Sequence, residues 1–120
     1  MEDLIKKAKS GDKLAFTELM LQMQDELYKI AKIRLKNDDD VFDVIQDTML
    51  STYKSLKKLK HNEYFKTWII KILINECNKK ISILTALGDY STKMNLSSLE
   101  QDSNPQKIDF KELLKNLYFF

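Results

Sequence analysis

A chain of 120 residues, 43% hydrophobic and 32% charged, is expected to form one soluble domain with a modest core and no need of disulfide staples. Two glycines and one proline are too few for the corners of a turn-rich β architecture, and the lone Cys77 excludes an intramolecular disulfide and fits a reducing compartment. The net charge of +2 conceals a lysine-rich middle, no apolar stretch approaches a membrane span, and the charged start MEDLIKKAKSGD lacks a signal peptide's apolar run, so a cytoplasmic, non-membrane protein is expected.

In chain order the pattern is helical. A short helix over about Asp3–Lys9 ends at Ser10-Gly11, where glycine suits the left-handed stop position. Asp12 is the expected N-cap of a long helix reaching about Lys36, with Phe16, Leu19, Met20, Met23, Leu27, Ile30 and Ala31 at amphipathic spacing. Asn37 and the run Asp38, Asp39, Asp40 break that pattern and cap the next helix, since acidic residues are favoured beside its unpaired N–H groups. Metal binding by these aspartates is disfavoured, because neither EF-hand spacing nor a central glycine follows.

The third helix, about Val41–Leu59, is expected to bury Val41, Val44, Ile45, Thr48, Met49, Thr52, Tyr53 and Leu56. A fourth runs from about Tyr64 to Leu84, with Ile70, Leu73, Ile74, Cys77 and Ile81 on one stripe. Long helices joined by short links predict an all-α fold, a compact antiparallel helical bundle. Residues 85–106, rich in polar residues and holding Gly88 and Pro105, read as a flexible linker, and IDFKELLKNL from Ile108 as a short terminal helix. The expected organisation is a helical domain over 1–84, a linker over 85–106 and, over 107–120, the truncated start of another domain.

Two helix faces call for explanation. On the third helix, Asp40, Asp43, Asp47, Leu50 and Lys54 lie opposite the core stripe, with Gln46 on the flank. Asp43 and Asp47, one turn apart, repel by a few tenths of a kcal/mol (about 0.2–0.5). Either they are solvated capping residues, or, with an exposed Leu50 among them, they form a docking site for a basic partner. On the fourth helix, Trp68 lies with Lys71, Ile72, Asn75 and Lys79, and Tyr64, Phe65, Lys66 and Thr67 occupy its start. Aromatic rings offer stacking platforms for unpaired bases, lysines neutralise phosphates and asparagine bonds base edges. Packing competes as an explanation: Phe65 and Ile72 are expected in the core, with Trp68 shared between the two roles. The lysine-rich middle, Lys54 to Lys80, equally fits a polyanion partner or a solvated face.

Catalytic chemistry is thin. His61 is the only histidine, Cys77 falls on the apolar stripe, and neither a phosphate-binding GxxxxGK[ST] loop nor a CxxC pair occurs. Asn95-Leu96-Ser97 matches a glycosylation acceptor that has no meaning in a cytoplasmic chain. No enzyme activity, cofactor or metal is expected.

With these residues in place, the chain resembles region 2 of bacterial sigma factors, especially the extracytoplasmic-function (ECF) group. Three pieces carry the likeness in family order over residues 3–82: Ala15-Phe16, DVFDVIQDTM from Asp40 to Met49, and Phe65-Lys66-Thr67-Trp68-Ile69. The resemblance implies that Asp43, Gln46, Asp47 and Leu50 bind the β′ clamp helices of core RNA polymerase. It also implies that Tyr64, Phe65, Lys66, Thr67, Trp68, Lys71, Asn75, Asn78 and Lys79 help melt promoter DNA and hold the single-stranded −10 non-template strand. An anti-sigma factor is a further implied partner. Lysines stand here where the family carries arginines, which keeps charge but loses bidentate geometry and hides the −10 preference. IDFKELLKNL resembles the first helix of the −35-binding region 4, so the chain is expected to bind polymerase yet recognise promoters poorly. The rival reading is a small helical protein-interaction module that occupies the polymerase clamp without melting DNA.

Overall fold

The computed structural model describes residues 1–88. Its elements are α1 (Glu2–Lys9), α2 (Lys13–Arg34), α3 (Asp38–Ser55) and α4 (Phe65–Ala86), with single 3₁₀ turns at Leu56–Lys58 and Asn62–Tyr64 between α3 and α4. The expected all-α bundle is what forms. The linker beyond Gly88 and the terminal helix lie outside the described residues.

Local chemistry sets the helix ends. Gly11 takes φ +100°, and the amides of Gly11 and Asp12 donate to the carbonyls of Ala8 and Lys7, a Schellman stop that only a residue free of Cβ strain adopts cheaply. Asp12 then starts α2, its Oδ1 accepting from the Ala15 amide at 3.1 Å. Asn37 does the same for α3, accepting from the Asp40 amide at 2.9 Å, so Asp38, Asp39 and Asp40 form the first turn rather than the cap. Lys32 reaches Asp38 at 2.8 Å and ties the end of α2 to the start of α3.

The core gathers side chains from all four helices, including Ile5, Phe16, Met20, Met23, Leu27, Tyr28, Val44, Ile45, Met49, Phe65, Ile69 and Leu73. Thr48 and Thr52 are buried at no polar cost, since each hydroxyl donates at 2.7 Å to the carbonyl four residues back. Tyr28, absent from the predicted stripe of α2, is completely enclosed. Ile30, on that stripe, only flanks the core.

Three burial expectations are corrected. The centre of α4 is the i, i+4 row Phe65, Ile69, Leu73 and Cys77, while Ile70, Ile74 and Ile81 sit half-buried beside it. Apolar residues nearly surround α4 between Ile69 and Ile74, so periodicity had no polar face to aim against. Contact with both α2 and α3 then chose the row. Tyr53 is exposed rather than buried, its ring lying edge-on to Phe16 with centroids 5.0 Å apart. Ile72, expected in the core, is half-buried in the wall of a surface groove.

Candidate functional site

α3 and α4 run antiparallel, and their shared surface carries both candidate faces. At one end the first half of α3 meets the second half of α4 through Lys80, whose Nζ lies 3.0 Å from Asp43 Oδ2 and 3.6 Å from Asp40 Oδ1. These contacts push the lysine pKa up, the hydrogen bond with Asp43 contributing most. Asp47, one turn further along, has its pKa raised, first by partial burial and then by the neighbouring carboxylates of Glu76 and Asp43. The result is a compact acidic patch in which Lys80 and Lys79 answer only part of the charge. A cation brought by a partner would relieve it.

The structure separates the four residues for which docking was expected. Asp43 and Asp47 are exposed on this patch. Leu50, expected to be exposed, is half-buried and packs on the core. Gln46 is half-buried as well, and its amide nitrogen and oxygen are covered yet without a hydrogen-bond partner. A covered amide of this kind carries a desolvation cost that no hydrogen bond offsets. Glu76 and Lys80 went unrecognised in the sequence. They carry no motif, and only the antiparallel register places them against α3.

The other end of the pair is aromatic and basic. Tyr64 is 61% exposed in the turn before α4, with its ring edge-on to His61 at 5.9 Å. Trp68 is half-buried, packed on the core with its ring 6.1 Å from that of Phe65 and tilted by 43°. One part of the indole is anchored in the core, as its packing led one to expect, and another remains at the surface. Phe65 is in the core, as its spacing predicted: it is 1% exposed beneath Trp68, which corrects only its place among the DNA-contacting residues that the resemblance implied. Thr67 and Lys71 are exposed, and Lys66, also exposed, stands 3.8 Å from Glu26 on α2.

Asn75, Asn78 and Lys79 fall further along α4 and line an open groove of about 700 Å³ between α3 and α4. Ser51 and Ser55 form the α3 wall, and Ile72, Glu76, Ser82 and Ile83 complete the α4 wall. Lys79 is 3.4 Å from Glu76, a solvent-screened pair that leaves the ammonium accessible. Seven residues of helix place Trp68 and Asn75 about 10 Å apart along the axis, so ring and groove are successive stations rather than one pocket.

The remaining chemistry is quiet. Cys77 is enclosed in the core, and burial pushes its thiol up to about 11. Among the described residues no His, Cys, Asp or Glu side chains gather in a group of three or more that could hold a metal ion. No helix among them is long and apolar enough to cross a membrane.

Comparison with known proteins places these observations in a family. A family profile described as Sigma-70 region 2 matches residues 19–82, which takes in most of α2 and all of α3 and the aromatic start of α4. The chain is similar to the ECF RNA polymerase sigma factor SigM of Mycobacterium tuberculosis, 26% identical over 57% of this chain and 35% of the relative. It is similar also to the ECF RNA polymerase sigma-E factors of Salmonella typhimurium and Escherichia coli, each 24% identical over 97% of this chain and 64% of the relative. The chain thus spans between about a third and two thirds of the length of these relatives. No solved structure matches.

Proposed function

Because the chain belongs to the Sigma-70 region 2 family, we propose that it acts in transcription initiation as a sigma-factor domain that docks on core RNA polymerase and holds melted promoter DNA. The proposed docking face is the acidic patch of α3, Asp43 and Asp47 with Gln46 and Leu50 beside them, set against the β′ clamp helices. The proposed strand path begins at Tyr64, Lys66, Thr67, Trp68 and Lys71 and continues past Asn75, Asn78 and Lys79 in the groove. No catalytic residue is assigned. Residues 1–84 would form the region 2 domain, 85–106 a linker and 107–120 the start of a region 4-like domain.

One observation supports the strand-holding role above the others. Trp68, the single tryptophan, is anchored on Phe65 yet reaches the surface on the same first turns of α4 as exposed Lys66 and Lys71, just after exposed Tyr64. A fixed ring with a free edge or face is preorganised for a base, and stacking of that kind is worth about 1–3 kcal/mol per base. Flipping a base out of a duplex costs a few kcal/mol, about what one or two such contacts return.

The rival reading, a module that occupies the clamp without melting DNA, finds support in Glu76. Its carboxylate stands on the groove wall beside Asn75 and Lys79, where it repels phosphate. The two readings part on one measurement. With the chain bound to core polymerase, retention of a randomised pool of single-stranded DNA is compared for wild type, Trp68→Ala and Asn75→Ala. Strand holding predicts that Trp68→Ala loses about tenfold or more while polymerase binding persists. Equal retention by wild type and both variants refutes it and leaves the clamp-binding module. The docking face has its own check: Asp43→Lys with Asp47→Lys should abolish pull-down of core polymerase, and unaltered pull-down excludes this face.

A further inference from the structure

The loop between α3 and α4 is held from outside by α1. The chain leaves its last helical turn at Leu59, whose extended backbone (φ −68°, ψ 114°) takes its carbonyl out of the helical ladder. Lys9, in the last turn of α1, donates from Nζ to that Leu59 carbonyl and, at 2.8 Å, to Asn62 Oδ1. Asn62 in turn donates from Nδ2 to Glu2 Oε1 at 3.1 Å. Both ends of α1 therefore grip the same loop, across 50 or more residues of sequence. The gripped segment ends in the 3₁₀ turn Asn62–Tyr64, which carries the exposed Tyr64 and hands the chain to α4 just before Trp68.

From this geometry we infer that Lys9 is a positioning residue for strand capture: by fastening the Leu59–Asn62 loop to α1 it sets where Tyr64 stands relative to Trp68. The inference rests on the strand-holding reading above and extends it to an element that reading leaves out. α1 lies outside residues 19–82, the part matched to the family, and the Lys9 hydrogen bonds go to Leu59 and Asn62, neither of which is assigned to DNA. A plain staple would hardly need this arrangement. Ile5 already buries α1 in the core, whereas the lysine bonds only to the one loop. A lysine is also suited to the task chemically. Its three donors can satisfy a carbonyl and an amide oxygen together, and its charge strengthens both bonds.

The test uses the 120-residue chain bound to core polymerase and the same randomised single-stranded pool, sequenced after retention. Lys9→Met keeps the aliphatic stem and removes the donors; Asn62→Ala cuts the same link from the loop side. Each is expected to lower retention by about tenfold and to flatten whatever base preference wild type shows, at unchanged polymerase affinity. Lys9→Arg, which keeps a charged donor, should restore most of both. The double variant should be no worse than the poorer single, because one link is broken twice. Two results overturn the proposal: retention and base preference in Lys9→Met equal to wild type while Trp68→Ala is impaired, or DNA retention and polymerase affinity falling together, which marks a merely structural contact. If Trp68→Ala too is retained normally, the strand-holding reading itself fails and the role of Lys9 falls with it.

Discussion

The two ends of the α3–α4 pair handle charge in opposite ways. At the acidic end Asp40 and Asp43 both pair with Lys80, and Asp47 is crowded by Glu76. At the aromatic end the lysines stand apart from one another: Lys71 is exposed with no ion pair among the described residues, Lys66 has only a long contact with Glu26, and the exposed Glu63 lies 3.6 Å from His61. An internally paired surface holds its shape and exchanges partners one at a time. A surface of dispersed cations around a fixed ring has the chemistry that the proposed strand-holding role asks for. That contrast fits a rigid protein contact at one end and a nucleic acid at the other.

The largest effect expected lies beneath the aromatic end. Phe65→Ala should cost about 3–5 kcal/mol in urea unfolding, because it opens a cavity under Trp68, whereas Tyr64→Ala should stay within about 0.5 kcal/mol and lose DNA retention instead. Equal stability losses would show that anchor and surface are not separate layers. Next in size is salt. If Lys66, Lys71 and Lys79 meet phosphates, the logarithm of DNA affinity should fall with the logarithm of salt at a slope of about −2. A flat response in a titration from 50 to 200 mM salt (roughly the range over which counterion release is usually read) would remove the phosphate contacts.

At the acidic end a smaller change is expected. Lys80→Ala frees Asp43 and should raise polymerase affinity, by about fivefold at most, since a solvent-screened pair is worth about 1 kcal/mol or less. A loss of affinity instead would mean that Lys80 shapes the patch rather than competing for it. The smallest effect is on pH dependence. The raised pKa of Asp47 means that its charged form is disfavoured in the folded state, so Asp47→Asn should be more stable than wild type above that folded value. The difference should close as pH falls through the folded pKa towards the ordinary carboxylate value. Urea midpoints across that range read it directly, and a gap that widens on acidification would reverse the assignment.

Much of this was legible without coordinates, and the failures have a common cause. The capping residues Asp12 and Asn37 and the stop at Gly11 depend on chemistry within a few residues, so the sequence displays them. The buried face of α3 was also readable except at Tyr53, because polar residues mark its outer side. α4 defeated the same method: a helix apolar nearly all round has no phase to read, so Ile69 was overlooked and Ile72 was assigned to the core. Helical spacing rightly put Phe65 in the core, whereas the resemblance also set it among the DNA-facing residues because it belongs to the same short motif as Trp68, and a motif does not say which of its members point outward. Leu50 looked exposed because its helical neighbours are acidic, yet it packs on the core and is half-buried.

The order of side chains thus settles the helices, their ends and the likeness to a family, since these follow from neighbours within one or two turns. Which row of α4 faces inward, how Lys80 bridges two helices, and how Lys9 reaches a loop 50 residues away are different matters. Each depends on distances between segments remote in the chain. Those distances exist only once burial has chosen a single packing, for a lysine carries no mark of the carbonyl it will find.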